Sequence, residues 1–121
     1  MYHDAAAAAA AAAAVREAEL TIINAKWHIC QDQAIERLSR WAGLGCSPLF
    51  PRYPVIQIVV CDGELIGRAR LHRSGGRIRW VATTAAQAHQ IGEFRTLQGA
   101  ARALATEAGL GRRLRVHYLP S

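Results

Sequence analysis

The chain has 121 residues, of which 51% are hydrophobic and 20% are charged, a composition that excludes a wholly disordered protein. No apolar run reaches the roughly 18 residues that a membrane-spanning helix needs, which argues against an integral membrane protein. Fifteen basic side chains against nine acidic ones give a net charge of +6.

The excess positive charge lies in the second half of the chain. Residues 1–54 hold five basic and five acidic side chains, whereas residues 55–121 hold ten arginines and four acidic residues. Concentrated positive charge attracts polyanions and acidic proteins, but a modest net charge also keeps a small protein in solution. Both interpretations are open at this point.

The N-terminal tail, residues 1–14, is dominated by ten consecutive alanines. Alanine has the highest helix propensity, but the run could equally stand for residues of unassigned identity, so we leave the tail out of the domain. The start Met1-Tyr2-His3-Asp4 lacks the basic and apolar regions of a secretory signal. We therefore expect a cytoplasmic protein.

Residues 15–42 carry an apolar stripe with helical spacing. Two short strands, Leu20–Ile23 and Trp27–Cys30, are an alternative, with Asp32 capping a separate helix. We predict a mainly helical segment that ends at Gly43, with a break near Asp32 left open. Exposed parts of the stripe would allow a larger assembly through this segment. The stripe consists of Leu20, Ile23, Trp27, Cys30, Ala34, Leu38 and Trp41.

Residues 43–54 are rich in proline and glycine. Pro48, Pro51 and Pro54 lack amide donors and favour extended backbone in the residues before them. We predict a linker here, within a single domain that covers residues 15–121.

Residues 55–83 predict a three-stranded antiparallel meander. Asp62-Gly63 is a hairpin signal because both positions of a two-residue turn need positive φ, and Gly75-Gly76 marks a second turn. The strands cover Val55–Val60, Leu65–His72 and Ile78–Thr83.

The two turns fix a register that sorts the side chains into an apolar face and an arginine-rich face. The predicted pairs are Gln57–Arg68 and Val55–Arg70 across the first turn, and His72–Arg79, Arg70–Val81 and Arg68–Thr83 across the second. The apolar face would hold Ile56, Ile58, Val60, Leu65, Ala69, Leu71, Ile78, Trp80 and Ala82.

The C-terminal third predicts one more helix and one or two short strands. Ile91–Phe94 can form an edge strand, and Thr96 can cap a helix over residues 96–109. Residues 112–119 alternate between apolar and polar side chains and predict a further strand, stopped by Pro120. The whole chain therefore predicts an α+β domain, with a three- or four-stranded antiparallel sheet and helices packed on one face.

The arginine-rich face is the candidate binding site, because guanidinium groups are planar, always charged and bind phosphate through two bonds. Trp80 and Tyr118 are expected to point inward, so no aromatic ladder is left for unpaired bases, which favours duplex or backbone contacts. The predicted nucleic-acid-binding residues are Gln57, Arg68, Arg70, His72, Arg77, Arg79, Arg113, Arg115 and His117.

The cysteines and histidines do not have the spacing of a metal or catalytic site. His28, Cys30, Cys46 and Cys61 form no Cys-x-x-Cys or His-x-x-x-His pair. The chain also contains no recognisable nucleophile motif or phosphate loop. We predict no metal, no cofactor and no enzymatic activity.

Two families resemble parts of this chain. The segment from Gly92 through Phe94 to Thr96, followed by the small residues Ala100, Ala101 and Ala103, resembles the three-strand-plus-helix DNA-binding domain of ethylene-response-type factors and of the arm-binding end of phage integrases. This resemblance covers about residues 55–109 and implies that Arg68, Arg70, Arg77 and Arg79 face a DNA groove; the connection over residues 84–93 departs from it.

The chain is also similar to a double-stranded RNA-binding domain, if residues 33–42 supply its first helix. The second helix of that family opens with lysines, and here that place holds Arg95-Thr96-Leu97-Gln98.

These observations predict a small, non-enzymatic nucleic-acid-binding protein of bacterial, phage or plasmid type, with duplex favoured. The alternative is a protein-interaction module, such as an inhibitor or a small subunit, that docks its basic face on an acidic partner.

Overall fold

The computed structural model describes residues 2–110 and 115–119, and within them the chain forms two helices and six strands. The elements follow the order α1 (Tyr2–Ser39), β1 (Leu44–Phe50), β2 (Tyr53–Cys61), β3 (Glu64–Ser74), β4 (Arg77–Thr84), β5 (Gln90–Phe94), α2 (Leu97–Glu107) and β6 (Val116–Tyr118).

The strands form one mixed sheet in the order β5-β4-β3-β2-β1-β6. Neighbouring strands are antiparallel except β1 and β6, which run parallel. The α+β class is confirmed, whereas the expected sheet of three or four antiparallel strands is too small. The difference arises because the tail strand crosses over by way of α2 and pairs with β1, a strand that the sequence did not predict.

The predicted linker over residues 43–54 is instead largely a buried strand, β1. Both faces of β1 are buried, so its sequence lacks the alternation of apolar and polar residues that identifies a half-exposed strand. Pro48 fits into it because β6 pairs only with Leu44–Cys46, which leaves the proline beyond the end of that ladder.

Helix α1 is continuous, so the alternative strands and the break near Asp32 do not occur. The chain divides into two compact units, the first ending at Cys30 and the second beginning at Gln31. In the second unit the end of α1 packs on β1, where a methyl group built on Gly45 would lie 2.8 Å from Leu38 Cδ2. No helix in the described part of the chain is long and apolar enough to cross a membrane.

Helix α2 covers the other face of the sheet. Its N-terminus is capped as predicted, since Thr96 Oγ1 accepts a hydrogen bond from the Gly99 backbone N–H at 3.0 Å. The helix comes so close to β3 that a methyl group on Gly67 would lie 2.7 Å from Leu104 Cδ2 and against the Thr83 carbonyl oxygen. The buried side chains of α2 are Ala100, Ala101, Leu104 and Ala105.

The predicted register is confirmed between β3 and β4 and is wrong between most of β2 and β3. Opposite Arg68, Arg70 and His72 stand Thr83, Val81 and Arg79, as expected. A shift between Val59 and Val60, however, offsets the remainder of β2 by one residue. This irregularity moves β2 side chains to the opposite face.

The predicted apolar face is consequently divided between the two faces of the sheet. Ile56 and Ile58 lie opposite Arg70 and Arg68, on the arginine side. Ile58 is nonetheless fully buried, because the end of α1 covers that half of the arginine side.

Candidate nucleic-acid interface

The hairpin of β3 and β4 extends past the ladders of its neighbours. The ladder with β2 ends at the pair Ile56–Arg70, and the ladder with β5 ends at Trp80–Phe94. Residues 72–79 continue as three further pairs, which at about 3.4 Å per residue extend about 10 Å beyond these ladders. We call residues 72–79 the arm.

The arm closes in a tight turn formed by two glycines. Gly75 and Gly76 have φ angles of +54° and +78°, and a side chain at either position would meet open space. Two consecutive positive φ angles define the hairpin turn whose twist matches that of the strands. The predicted second turn is thus confirmed, and it sets the tip of the arm away from the rest of the sheet.

The arm concentrates positive charge on an exposed ribbon. It contains three arginines and a histidine and no acidic residue. Every residue of the arm is exposed except Arg79, which is half-buried and whose Nη1 donates to the Ile78 carbonyl oxygen at 2.9 Å. His72, Arg77 and Arg79 share one face of the ribbon.

Arg68 and Arg70 continue this charged face onto the base of the arm. Both side chains are exposed, and the β3–β4 register puts them on the same face as Arg77 and Arg79. The acidic neighbour is Glu93, which β5 places opposite Val81 on that face. Five of the predicted site residues are therefore brought together: Arg68, Arg70, His72, Arg77 and Arg79.

Arg73 is a cationic residue that the sequence prediction missed. It pairs with Ile78 on the opposite face of the ribbon, the face assigned to the core by alternation. Beyond the ladders that face is uncovered, and both Arg73 and Ile78 are exposed. The signal in the sequence was the position of Arg73, two residues before a glycine turn that Arg77 follows.

Gln57 does not belong to the arginine face. The shifted register places it opposite Ala69 rather than Arg68, and its side chain is buried. Its amide nitrogen donates to the Pro54 carbonyl oxygen at 3.0 Å, so the residue is used for local structure.

The C-terminal candidates lie at another part of the sheet. Arg113 lies outside the described residues, and Arg115 is exposed just before β6. His117 stacks on Trp41 with ring centroids 5.4 Å apart. Because β1 and β2 separate β6 from β3, by about 14 Å at the usual strand spacing, His117 does not extend the arginine face around the arm.

The cysteines in the sheet are packing residues in this structure. Burial raises the pKa of the Cys46 thiol from 9.0 to about 12. Burial and, to a lesser degree, the carboxylates of Asp62 and Glu64 raise the pKa of Cys61. Neutral thiols are poor metal ligands and poor nucleophiles. Among the described residues no three His, Cys, Asp or Glu side chains form a group that could hold a metal ion.

A cleft lies at the C-terminal end of α2, away from the arm. Two carboxylates, Glu64 and Glu107, line it together with apolar side chains that include Ile66 and Leu104. Its charge is opposite to that of the arm, so the two surfaces suit ligands of opposite sign.

Comparison of the chain with models of protein families, with curated proteins and with solved structures finds no match.

Proposed function

We propose that this protein binds duplex nucleic acid through the arm and the arginines at its base. The observation that carries the proposal is the extension of residues 72–79 beyond the neighbouring ladders, with three arginines, a histidine and no acidic residue. If the arginines served only solubility, they could lie on a flat, solvated sheet face, and a projecting ribbon would not be needed.

The dimensions and chemistry of the arm suit a phosphate-lined groove. A two-stranded ribbon fits the major groove of DNA, which is about 12 Å wide. The arm carries no Phe, Tyr or Trp side chain on which unpaired bases could stack, and Trp80 at its base packs against the core. Arginine contacts to phosphates on both sides of a groove are therefore favoured over recognition of single strands.

Fluorescence anisotropy with labelled duplex DNA, single-stranded DNA and duplex RNA tests the proposal at about 50 and 200 mM salt. We expect duplex binding at the lower salt, and a loss of affinity of about tenfold or more in Arg77→Ala/Arg79→Ala, because charge-assisted bonds to phosphate are lost.

The matched control is Arg40→Ala/Arg102→Ala, which removes the same charge elsewhere. Both residues are exposed; Arg40 follows α1 near the Asp62-Gly63 turn, and Arg102 lies on α2 over the opposite face. Equal losses in the two variants would mean that only net charge matters and would contradict a role for the arm.

The same titration separates this proposal from a protein-interaction module. Absence of binding to all three polymers at low salt would overturn the proposal and favour docking of the basic face on an acidic protein. We also propose that the protein is cytoplasmic, where it would meet nucleic acid. A relationship to three-strand-plus-helix DNA-binding domains likewise stays a prediction.

A further inference from the structure

The first unit of the chain exposes an apolar stripe along α1 that is independent of the arm. Val15, Ile22 and Ile29 lie seven residues apart and are 56%, 54% and 57% exposed. Ala18 and Ala25 lie between them, and the resulting steps of three and four keep all five on one face of the helix. We call these five residues the α1 stripe.

We propose that the α1 stripe binds the same stripe of a second copy of this chain, with the two helices antiparallel. This inference does not rest on nucleic-acid binding. It rests on the alternation of large and small side chains along the stripe and on the charges that flank it.

The alternation of side-chain size favours the antiparallel orientation. In an antiparallel pair centred between Ile23 and Asn24, Ile22 faces Ala25 of the partner subunit, and Ile29 faces Ala18 of the partner subunit. The four layers formed by Ala18, Ile22, Ala25 and Ile29 then each join one large and one small side chain, so the helices pack at an even distance there, and Val15 lies beyond them, opposite Asp32 of the partner subunit. In a parallel pair, layers of two isoleucines would alternate with layers of two alanines and leave voids.

The charges beside the stripe favour the same arrangement. Glu19 and Lys26 lie on one flank of the stripe, seven residues apart. The antiparallel pair brings Glu19 near Lys26 of the partner subunit, and twofold symmetry makes this contact twice. The parallel pair would instead place Glu19 beside Ala14 of the partner subunit and Lys26 beside Thr21 of the partner subunit.

The composition of this segment permits self-association in an otherwise basic protein. Residues 15–30 hold Arg16 and Lys26 against Glu17 and Glu19, so the segment is neutral while the chain carries +6. The stripe is about 21 Å long, so a helix pair along it buries less than the roughly 800 Å² per partner of a standard stable interface. The expected dimer is therefore weak, with a Kd of about 10 to 100 μM.

Sedimentation equilibrium of the full chain, from about 1 to 500 μM under reducing conditions, tests the inference. We expect a monomer–dimer equilibrium that Ile22→Glu/Ile29→Glu weakens more than tenfold. The control is Leu20→Glu/Ile23→Glu, which makes the same change at exposed residues of the neighbouring face and should leave the dimer intact. A monomeric wild-type protein, or dissociation by the control variant, would overturn the proposal.

Charge reversal tests the orientation. Glu19→Lys and Lys26→Glu should each raise the dimer Kd by about fivefold to tenfold, and the double variant should restore it. Glu17→Lys, a matched reversal on the far side of the helix, should have no effect. Failure of the double variant to restore the dimer would overturn the antiparallel arrangement, and unchanged helical circular dichroism would show that each variant folds.

Discussion

Gly67 and Cys46 both lie in the core between α2 and the sheet. Gly67 leaves room for Leu104 and for the Thr83 carbonyl oxygen, and Cys46 is fully buried in the same core. Each residue gives one prediction that a single substitution can test.

Gly67→Ala should lower the free energy of unfolding by about 2–3 kcal/mol, because the added methyl group would push α2 away from the sheet. Urea denaturation measures the loss. Gly75→Asn is the control: its φ is positive but its surroundings are open, and asparagine tolerates that conformation, so we expect a loss below about 1 kcal/mol. Equal stability of Gly67→Ala and wild type would contradict the close approach.

The Cys46 thiol should make the protein less stable in alkali. Its pKa is raised to about 12 in the folded chain, so above pH 9 the unfolded thiol loses its proton while the folded one keeps it. The free energy of unfolding should therefore fall between about pH 9 and 11, by up to about 1.4 kcal/mol per pH unit from this group.

Thermal denaturation across this pH range checks the sign. In Cys46→Ala the free energy of unfolding should fall less steeply with pH, because the contribution of one thiol is lost. The contributions of Cys61 and Tyr118, whose pKa values are also raised by burial, should remain. An unchanged slope in Cys46→Ala would contradict the assignment.

At the scale of elements, the sequence predicted structure where local signals were complete. The β3–β4 hairpin was predicted with its register because Gly75-Gly76 allows one tight turn. The β2–β3 register was not, because the irregularity near Val59 leaves no local mark in the sequence. The arginine cluster on β3 and β4 was consequently predicted, whereas Gln57 was assigned to the wrong face.

Arg37 attaches the end of α1 to β1, and its loss should destabilise the second unit. Its Nη2 donates to Ser47 Oγ at 3.0 Å and to the Pro48 carbonyl oxygen at 3.2 Å, and Ser47 is fully buried. Arg37→Ala leaves that hydroxyl without its donor, so we expect a loss of about 2–3 kcal/mol in urea denaturation. Arg40→Ala, three residues on and exposed, should change stability by less than about 0.5 kcal/mol; similar losses would contradict this role.

At the scale of the whole molecule, the site depends on where the ladders end. β2 pairs with only part of β3 and β5 with only part of β4, so in the described part of the chain both edges of the arm lack a neighbouring strand. The parallel β1–β6 pair joins residues more than 70 positions apart, and neither local periodicity nor turn chemistry could predict it. Arg73 was missed because alternation assigned its face to the core, whereas the ladders with β2 and β5 end before the arm and leave Arg73 exposed.

The salt dependence of duplex binding tests the central claim most directly. If Arg77 and Arg79 neutralise phosphates, the slope of log K against log salt should be smaller by about 2 in Arg77→Ala/Arg79→Ala than in wild type. The slope of Arg40→Ala/Arg102→Ala should match that of wild type. Identical slopes for wild type and the arm variant would contradict phosphate binding by the arm.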